Sequence, residues 1–570
     1  MTRTILPVLL LLASLSCFSQ TANRFDVIIT EIMADPSPFV GLPNAEFIEL
    51  KNVSALPLNL NGWRLSDVTS TSTISSSFIL QPDSFVVLCA NSNVAAFSVF
   101  GRTVGVSSFP SLDNDGDVLT LRSPQNRIIH AVAYTTDWYA NEAKKEGGWS
   151  LEMIDTKNPC TGKSNWKAST NNLGGTPGEQ NAVNGINVDD VPPQLKRAYA
   201  ADNVTIVLVF DESLDSTTAA MAGNFVLPGF GIVSSTPVAP LFHSVQLKLN
   251  SPLQTSLVYT ISVNAITDCK GNAIGAYNKT KIGLPQDAQT NDVVINEILF
   301  NPKTGGFDYV EFYNTSNRVF DASKLYIANR GANGNISSLK KLSEDPLYLF
   351  PGDFVVVTEE PENLKRSYLV KNEEALLQLS SLPSFPDDKG TVVLVSLNGD
   401  IIDEMQYEDD WHFGLIDNDD GVALERIDPS AASQAKSNWH SAASGVGYGT
   451  PGYQNSQFKR LEDLKATIDI SPKTFSPDND GRDDIATIGY KVEEAGYLAN
   501  IIIFDAAGRI VRRLVKNDLL QLKGSWNWDG LGENRNKLPI GHYIVFTEVF
   551  NLQGKKKSFK NTIVLARPMN

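Results

Sequence analysis

Histidine and cysteine, which carry much of nucleophilic, acid–base and metal chemistry, number only five and four among the 570 residues. With so few, an active site built on either type is available only if the folding brings His130, His243, His412, His440 or His542 together with a partner. Long apolar runs are lacking too. Past residue 20 nothing approaches the roughly 18 consecutive apolar residues of a membrane-spanning helix. Patches of positive charge are missing as well: the net charge is −16 and Lys and Arg are dispersed, so there is no electrostatic footprint for a nucleic-acid backbone and no direct nucleic-acid partner is expected. Beyond the N-terminal segment three cysteines remain, Cys89, Cys160 and Cys269. An odd number predicts no disulfide framework. Cys89, inside Phe85-Val-Val-Leu-Cys-Ala90, reads as a small residue of a buried strand.

Residues 1–20 combine a positive start, the apolar stretch Ile5 to Ala13 and small residues at Cys17-Phe-Ser19. That is the pattern of a secretory signal cleaved before Gln20. Ser14-Leu-Ser-Cys17 makes a poor lipidation site, so a cleaved, non-lipidated chain is the expectation.

The chain then repeats itself. Asp26-Val-Ile-Ile-Thr-Glu-Ile32 returns as Asp292-Val-Val-Ile-Asn-Glu-Ile298, and Glu49-Leu-Lys-Asn-Val-Ser54 as Glu311-Phe-Tyr-Asn-Thr-Ser316. Lys163-Ser-Asn-Trp166 returns as Lys436-Ser-Asn-Trp439, and both copies close on Thr-Pro-Gly-x-Gln-Asn, at Thr176 to Asn181 and Thr450 to Asn455. Only two copies, far apart, mean duplicated domains and not a solenoid. β-branched and aromatic runs bounded by Gly, Pro, Asn, Asp and Ser dominate, with helical period confined to Glu360–Lys371 and a turn near Ser216–Ala222. An all-β chain of four tandem Ig-like antiparallel sandwiches follows. The expected boundaries are a signal at 1–19 and domains at 20–184, 185–286, 287–457 and 458–570.

Three family resemblances sharpen this reading. The duplicated segment, through Ile29-Thr-Glu-Ile32, Glu46-Phe-Ile-Glu-Leu-Lys-Asn52, Leu60-Asn-Gly-Trp-Arg-Leu65 and Leu112-Asp-Asn-Asp-Gly-Asp-Val-Leu-Thr-Leu121, resembles the lamin tail domain. The second copy keeps Asn296-Glu-Ile298, Tyr309-Val-Glu-Phe312 and Val422-Ala-Leu-Glu-Arg426 but has Ala322-Ser-Lys-Leu-Tyr326 in place of the Asn-Gly-Trp turn. Between the copies, Val204-Thr-Ile-Val-Leu-Val-Phe-Asp-Glu212, Tyr259-Thr-Ile-Ser-Val263 and Asp268-Cys-Lys-Gly-Asn-Ala273 resemble bacterial Ig-like domains. The last segment, through Ser476-Pro-Asp-Asn-Asp-Gly-Arg-Asp-Asp484, Trp526-Asn-Trp-Asp-Gly530 and Pro539-Ile-Gly-His-Tyr543, resembles flagellar hook-capping Ig-like domains and the C-terminal sorting domains of type IX secretion cargo. These resemblances imply an extracellular accessory protein of a Gram-negative bacterium, with the C-terminal domain addressing the secretion machinery.

The repeat tests each candidate site, since a residue missing from one copy is not required by both. His440 stands opposite Lys167, His412 opposite Tyr139 and His130 opposite Asp403, so no histidine passes. Glu31/Glu297 and Glu49/Glu311 do pass; two strand glutamates on a cleft would suit acid–base work, whereas in a sandwich they tie loops through backbone N–H groups. Asp113-Asn-Asp-Gly-Asp117 starts like a calcium loop but lacks the later bidentate Glu, and its counterpart Pro386-Asp-Asp-Lys-Gly390 carries a lysine, so a hairpin turn is expected. Asp417-Asn-Asp-Asp-Gly421 is weakened in the same way. Asp478, Asp480, Asp483 and Asp484 crowd one loop whose repulsion a divalent cation, calcium by its oxygen donors, would relieve, with Asx turns as the other reading. Trp63, Trp138, Trp149, Trp166, Trp411 and Trp439 offer sugar-stacking faces, but the recurrence of Trp138/Trp411 and Trp166/Trp439 suits packing.

The expected function is that of an exported, non-catalytic surface or extracellular protein, binding an extracellular protein or glycan in adhesion or scaffolding. An accessory subunit of a secreted hydrolase acting on polysaccharide or nucleic acid, or such a hydrolase itself, is the alternative.

Overall fold

The computed structural model describes residues 22–416, 418–458, 466–493, 496–551 and 556–568. The expected signal, and Asp417, lie outside these residues. What is described is all-β, built from antiparallel sheets with short helical turns such as Pro361–Ser367 and Ser216–Ala219 between strands.

In the first copy a six-stranded sheet runs in the order Trp166–Ala168, Leu151–Met153, Val27–Met33, Phe47–Asn52, Phe85–Ala90, Thr103–Val106. Only the last pair is parallel. A four-stranded sheet, ordered Ile128–Thr135, Gly116–Arg122, Arg64–Ser66, Thr71–Thr73, covers it. Every residue of Val27–Met33 is buried, so its apolar residues show no alternation with an exposed face, and Thr30 and Glu31 are carried into the interior with them. Val27, Ile28, Ile29 and Ile32 are 0% exposed, and each such side chain contributes about 1.5–3 kcal/mol of burial. In the second copy the strand order repeats element for element: Trp439–Ser441, Leu424–Arg426, Val293–Leu299, Tyr309–Asn314, Phe354–Thr358, Leu376–Gln378. Tyr134 donates to the Asp113 carbonyl at 2.8 Å and Tyr407 to the Pro386 carbonyl at 2.8 Å, so each copy pins its hairpin with the same tyrosine.

Between the copies, Leu195–Asp202, Thr205–Phe210, Ser244–Leu249 and Ile232–Pro237 form one sheet, and Phe225–Val226, Val258–Val263 and Lys279–Gly283 another. Ile206, Leu208, Val245, Leu247, Ile261 and Ile282 fill the space between them. The last segment packs a three-stranded sheet on a five-stranded one around Trp528, Phe475, Ile501 and Val545.

Cysteine parity misled. Cys160 and Cys269 form a disulfide with Cα atoms 6.4 Å apart, and the odd thiol is the buried Cys89. The comparison of copies misses this bond because Cys269 sits outside the duplicated segment.

Candidate functional site

Both copies carry the same buried polar centre. A β-bulge falls between Ile29 and Glu31, and again between Ile295 and Glu297. Past the bulge, Glu31 stands directly opposite Glu49 on one neighbouring strand and Glu152 on the other; Glu297 stands likewise between Glu311 and Glu425. All six glutamates are 0% exposed. Three carboxylates abreast on adjacent strands repel one another, so the arrangement needs converging donors and retained protons to persist.

Those donors come from the closing Thr-Pro-Gly-x-Gln-Asn loop. Thr176 N–H donates to Glu31 at 2.8 Å, Thr176 Oγ1 to Glu152 at 2.9 Å and Gly178 N–H to Glu49 at 2.6 Å. Thr450 N–H and Gly452 N–H meet Glu297 and Glu311 at 2.8 and 2.7 Å. Gly178 and Gly452 take φ of +88° and +83°, the left-handed region that aims these amides and that glycine enters without strain. Asn181 Nδ2 then donates to the Thr30 and Met153 carbonyls, and Asn455 Nδ2 to those of Asn296 and Arg426.

Thr450 Oγ1 lies 2.9 Å from both Glu297 Oε2 and Glu425 Oε1. A hydroxyl carries one proton, so one of these contacts runs from a protonated carboxyl to the hydroxyl oxygen. Burial, then the neighbouring Glu425, pushes Glu297 up to about 8; burial, then Glu152, does the same to Glu31. Burial also holds Glu49 and Glu311 well above the carboxylate range, with Glu31 and Glu297 adding to it.

The copies differ in how fully they satisfy this centre. Tyr309 donates its hydroxyl to Glu297 at 2.7 Å. Phe47 occupies the matching position in the first copy, and there Glu31 Oε2 is buried without a protein partner. Asn296 donates to both Glu311 and Asn455 Oδ1 at 2.7 Å, whereas Thr30 reaches Glu49 alone and Asn181 Oδ1 is orphaned. A second divergence lies beside the bulge. His130 Nδ1 accepts from Ile29 N–H at 2.9 Å, and Asp403 Oδ2 accepts from Ile295 N–H at 2.8 Å. Since Nδ1 accepts, Nε2 holds the proton and donates to the Pro159 carbonyl at 3.0 Å. Burial, with Arg24 adding to it, lowers His130 to about 4. Asp403 is instead paired with Arg426 at 3.1 Å, both nearly inaccessible.

The glutamates nominated from sequence, Glu31/Glu297 and Glu49/Glu311, are thus brought together, and the reading missed the third of each set, Glu152 and Glu425. Their signal was present in the repeated Leu-Glu of Leu151-Glu152 and Leu424-Glu425. A substrate reaches none of the six without the sandwich opening. His130 is buried at the bulge, and His412 Nδ1 meets Ser441 Oγ at 3.0 Å. Trp63, Trp138, Trp166 and Trp439 are buried, and Trp138 packs on Trp166 with ring centroids 6.0 Å apart. Trp149 and Trp411 are half-buried.

Among the described residues, two groups of three carboxylates converge closely enough to offer oxygens to one cation. Asp478, Asp480 and Asp484 form the first. Asp483 is not part of it: this residue takes φ +50° and its carbonyl accepts from Ser476 N–H. The loop is closed by its own amides, Asp484 accepting from the N–H groups of Asp478, Asn479 and Gly481 at 3.1, 2.6 and 2.9 Å. Asp189, Glu212 and Asp268 form the second, next to the disulfide. Burial, then Asp268 and Asp189, raises Glu212 to about 8.

No helix among the described residues is long and apolar enough to cross a membrane. No curated protein matches the chain. Among solved structures, the N-terminal part of the bacterial S-layer protein SbsC is similar at 15% identity over 29% of this chain and 40% of that one, with a TM-score of 0.16. The longer S-layer fragment rSbsC(31-844) is similar at 11% identity over 67% of this chain and 55% of that one, TM-score 0.16, so the chain spans about half the length of these S-layer structures. A DUF4876 family protein from Bacteroides thetaiotaomicron VPI-5482 is similar at 12% identity over 39% of this chain and 85% of that one, TM-score 0.18. Residues 20–136, which hold the first copy's bulge with Glu31 and Glu49, match the family model of the Lamin Tail Domain.

Proposed function

We propose that this is an exported, non-catalytic surface or extracellular protein. Its domains run lamin-tail-like (20–184), Ig-like (185–286), lamin-tail-like (287–457) and C-terminal Ig-like (458–570), and it binds an extracellular protein or glycan in adhesion or scaffolding. The last domain engages the secretion machinery of a Gram-negative cell. One observation carries the non-catalytic reading: the polar residues that recur in both copies, the glutamate trios with Thr176/Thr450 and Asn181/Asn455, bond to one another and to their own backbone. Duplication has multiplied a scaffold whose shared chemistry is internal.

Intact mass of the mature protein, from culture medium and from the washed cell surface, tests export and the role of the last domain. A chain beginning at Gln20 at the surface is expected; loss of the residues after about 466 would identify a sorting domain removed on arrival. Hydrolysis of polysaccharide or nucleic acid by the purified protein, abolished by Glu31→Gln with Glu297→Gln while both copies stay folded, would overturn the non-catalytic reading.

A further inference from the structure

A chain of sandwiches joined by single linkers swings at each joint by default. The first joint here is built otherwise. The linker leaving the first copy is tacked down early, Gly185 N–H donating to the Ile154 carbonyl at 2.9 Å and Asn187 N–H to Asp155 at 3.1 Å. It is caught again when Gln194 N–H donates to Asp211 at 2.8 Å. Between these points Val188 and Val191 are exposed, while Asp189 is held beside the disulfide, its carboxylate accepting from Thr161 Oγ1 at 2.9 Å and its carbonyl from Asn272 Nδ2 at 3.1 Å. These bonds, with that of Lys270 Nζ to the Lys157 carbonyl at 2.7 Å, flank the two half-cystines and depend on the clasp to keep their partners in register. The Cys160–Cys269 bond is a second covalent crossing, between loops that are otherwise 109 residues apart in sequence. Arg24 makes a third crossing: its guanidinium lies 4.6 Å from the ring centre of Phe25 and 4.5 Å from that of Phe242, and donates to Ser213 Oγ at 2.9 Å and the Leu214 carbonyl at 3.2 Å. One tether permits rotation about itself. Two covalent tethers at separate points remove the swing, and a planar cation held between two rings resists the remaining twist.

We propose that Cys160–Cys269 is an inter-domain clasp that makes the first lamin-tail-like sandwich and the following Ig-like domain one rigid arm, and that residues 188–193 become a working hinge only when the clasp is absent. The bond is not a stabiliser of either sandwich alone. Each half-cystine lies in a loop outside its domain's sheets, and the cores on the two sides contain neither sulfur.

The test uses the full mature chain and the double variant Cys160→Ser with Cys269→Ser, compared by limited proteolysis and by hydrogen exchange read by mass spectrometry. Cleavage between 188 and 193 is expected to accelerate about ten-fold or more, while exchange in Val27–Met33 and Thr205–Phe210 stays at the native rate. Arg24→Ala alone is expected to leave linker cleavage within about two-fold of native, and to accelerate it further in the serine background. Unchanged cleavage in the serine pair would show that the joint is held without the bond and would overturn the proposal. Loss of protection in either core would make the disulfide part of one domain's own stability, and two alkylatable thiols at Cys160 and Cys269 in the exported protein would remove the clasp altogether; either result overturns it.

Discussion

Replacing Glu49 and Glu311 by glutamine, one at a time, should have unequal effects although the two residues hold the same position in the two copies. Glutamine keeps the shape, but it turns one of two oxygens that both accept here into an obligate donor. In the second copy both oxygens of Glu311 face N–H groups, Asn296 Nδ2 and Gly452 N, each at 2.7 Å. Asn296 cannot turn its amide to help: the same Nδ2 feeds Asn455 Oδ1, and Asn455 is fixed by two backbone carbonyls that take its own Nδ2. Glu311→Gln therefore leaves one buried N–H without an acceptor, which costs about 1–3 kcal/mol. In the first copy Glu49 faces Gly178 N–H and the hydroxyl of Thr30. A hydroxyl both donates and accepts. In Glu49→Gln the new side-chain amide donates to it, and the Thr30 proton turns to the backbone carbonyl of residue 49, 3.5 Å away. The difference of about 1–2 kcal/mol corresponds to a factor of roughly 5–30 in local opening. Hydrogen exchange of the full chain reads it directly: peptides covering Val293–Leu299 and Tyr309–Asn314 lose protection by that factor in Glu311→Gln, whereas Val27–Met33 and Phe47–Asn52 lose much less in Glu49→Gln. Equal losses in the two variants, or a larger loss in the first copy, would refute the assignment of donors and acceptors.

Three further outcomes follow from the comparison of copies. Phe47→Tyr should supply the donor that Tyr309 gives Glu297 and stabilise the first copy by about 1 kcal/mol, seen as a higher denaturant midpoint for that copy's peptides; a lower midpoint would mean that the Phe47–Phe97 packing has no room for the hydroxyl. His130, held neutral down to about 4 by burial, should show the Nε2–H tautomer in selectively labelled NMR spectra. Because its pKa is depressed, its contribution is complete above about 6.5 and lost as pH falls toward 4, worth about 3 kcal/mol; a ring titrating near 6.5 in the folded chain would contradict this. Glu31 and Glu297, raised to about 8, act in the opposite sense. The folded copies keep protons that the unfolded chain releases near 4.5, so stability falls as pH rises from about 4.5 to 8, and the midpoint of each copy's peptides in denaturant should fall across the upper part of that range; a midpoint unchanged between about pH 6.5 and 8 would contradict this.

The all-β class was legible because the strands announce themselves by β-branched runs and turn residues, and the repeat marked Glu31, Glu49 and their partners. What the glutamates bond to was not. Glu31 and Thr176 are 145 residues apart, and their meeting depends on a bulge at Thr30 that no residue type signals. The recurrence of Trp166/Trp439 pointed to packing, and both open short strands whose alternation turns them inward; Trp63 and Trp138 are buried from turns, where no periodicity in the sequence marks the direction. The disulfide escaped because its halves come from two kinds of domain. In the aspartate loop, proximity was legible but geometry was not: the left-handed backbone at Asp483 separates it from the other three.

His130 stands where the second copy has Asp403, and Met153, opposite Trp166, stands where the second copy has Arg426 opposite Trp439 and paired with Asp403; the two differences are coupled, and this bears on heredity. Two similar segments in one gene invite recombination. A crossover falling between the positions of His130 and Met153 would yield one hybrid with a buried arginine facing a histidine, and another with a buried aspartate lacking its arginine; each leaves an uncompensated charge in a sandwich interior, at about 3–5 kcal/mol. Crossovers outside that interval carry no such penalty. Exchange between the copies is therefore expected to be tolerated where it carries the pair as a block.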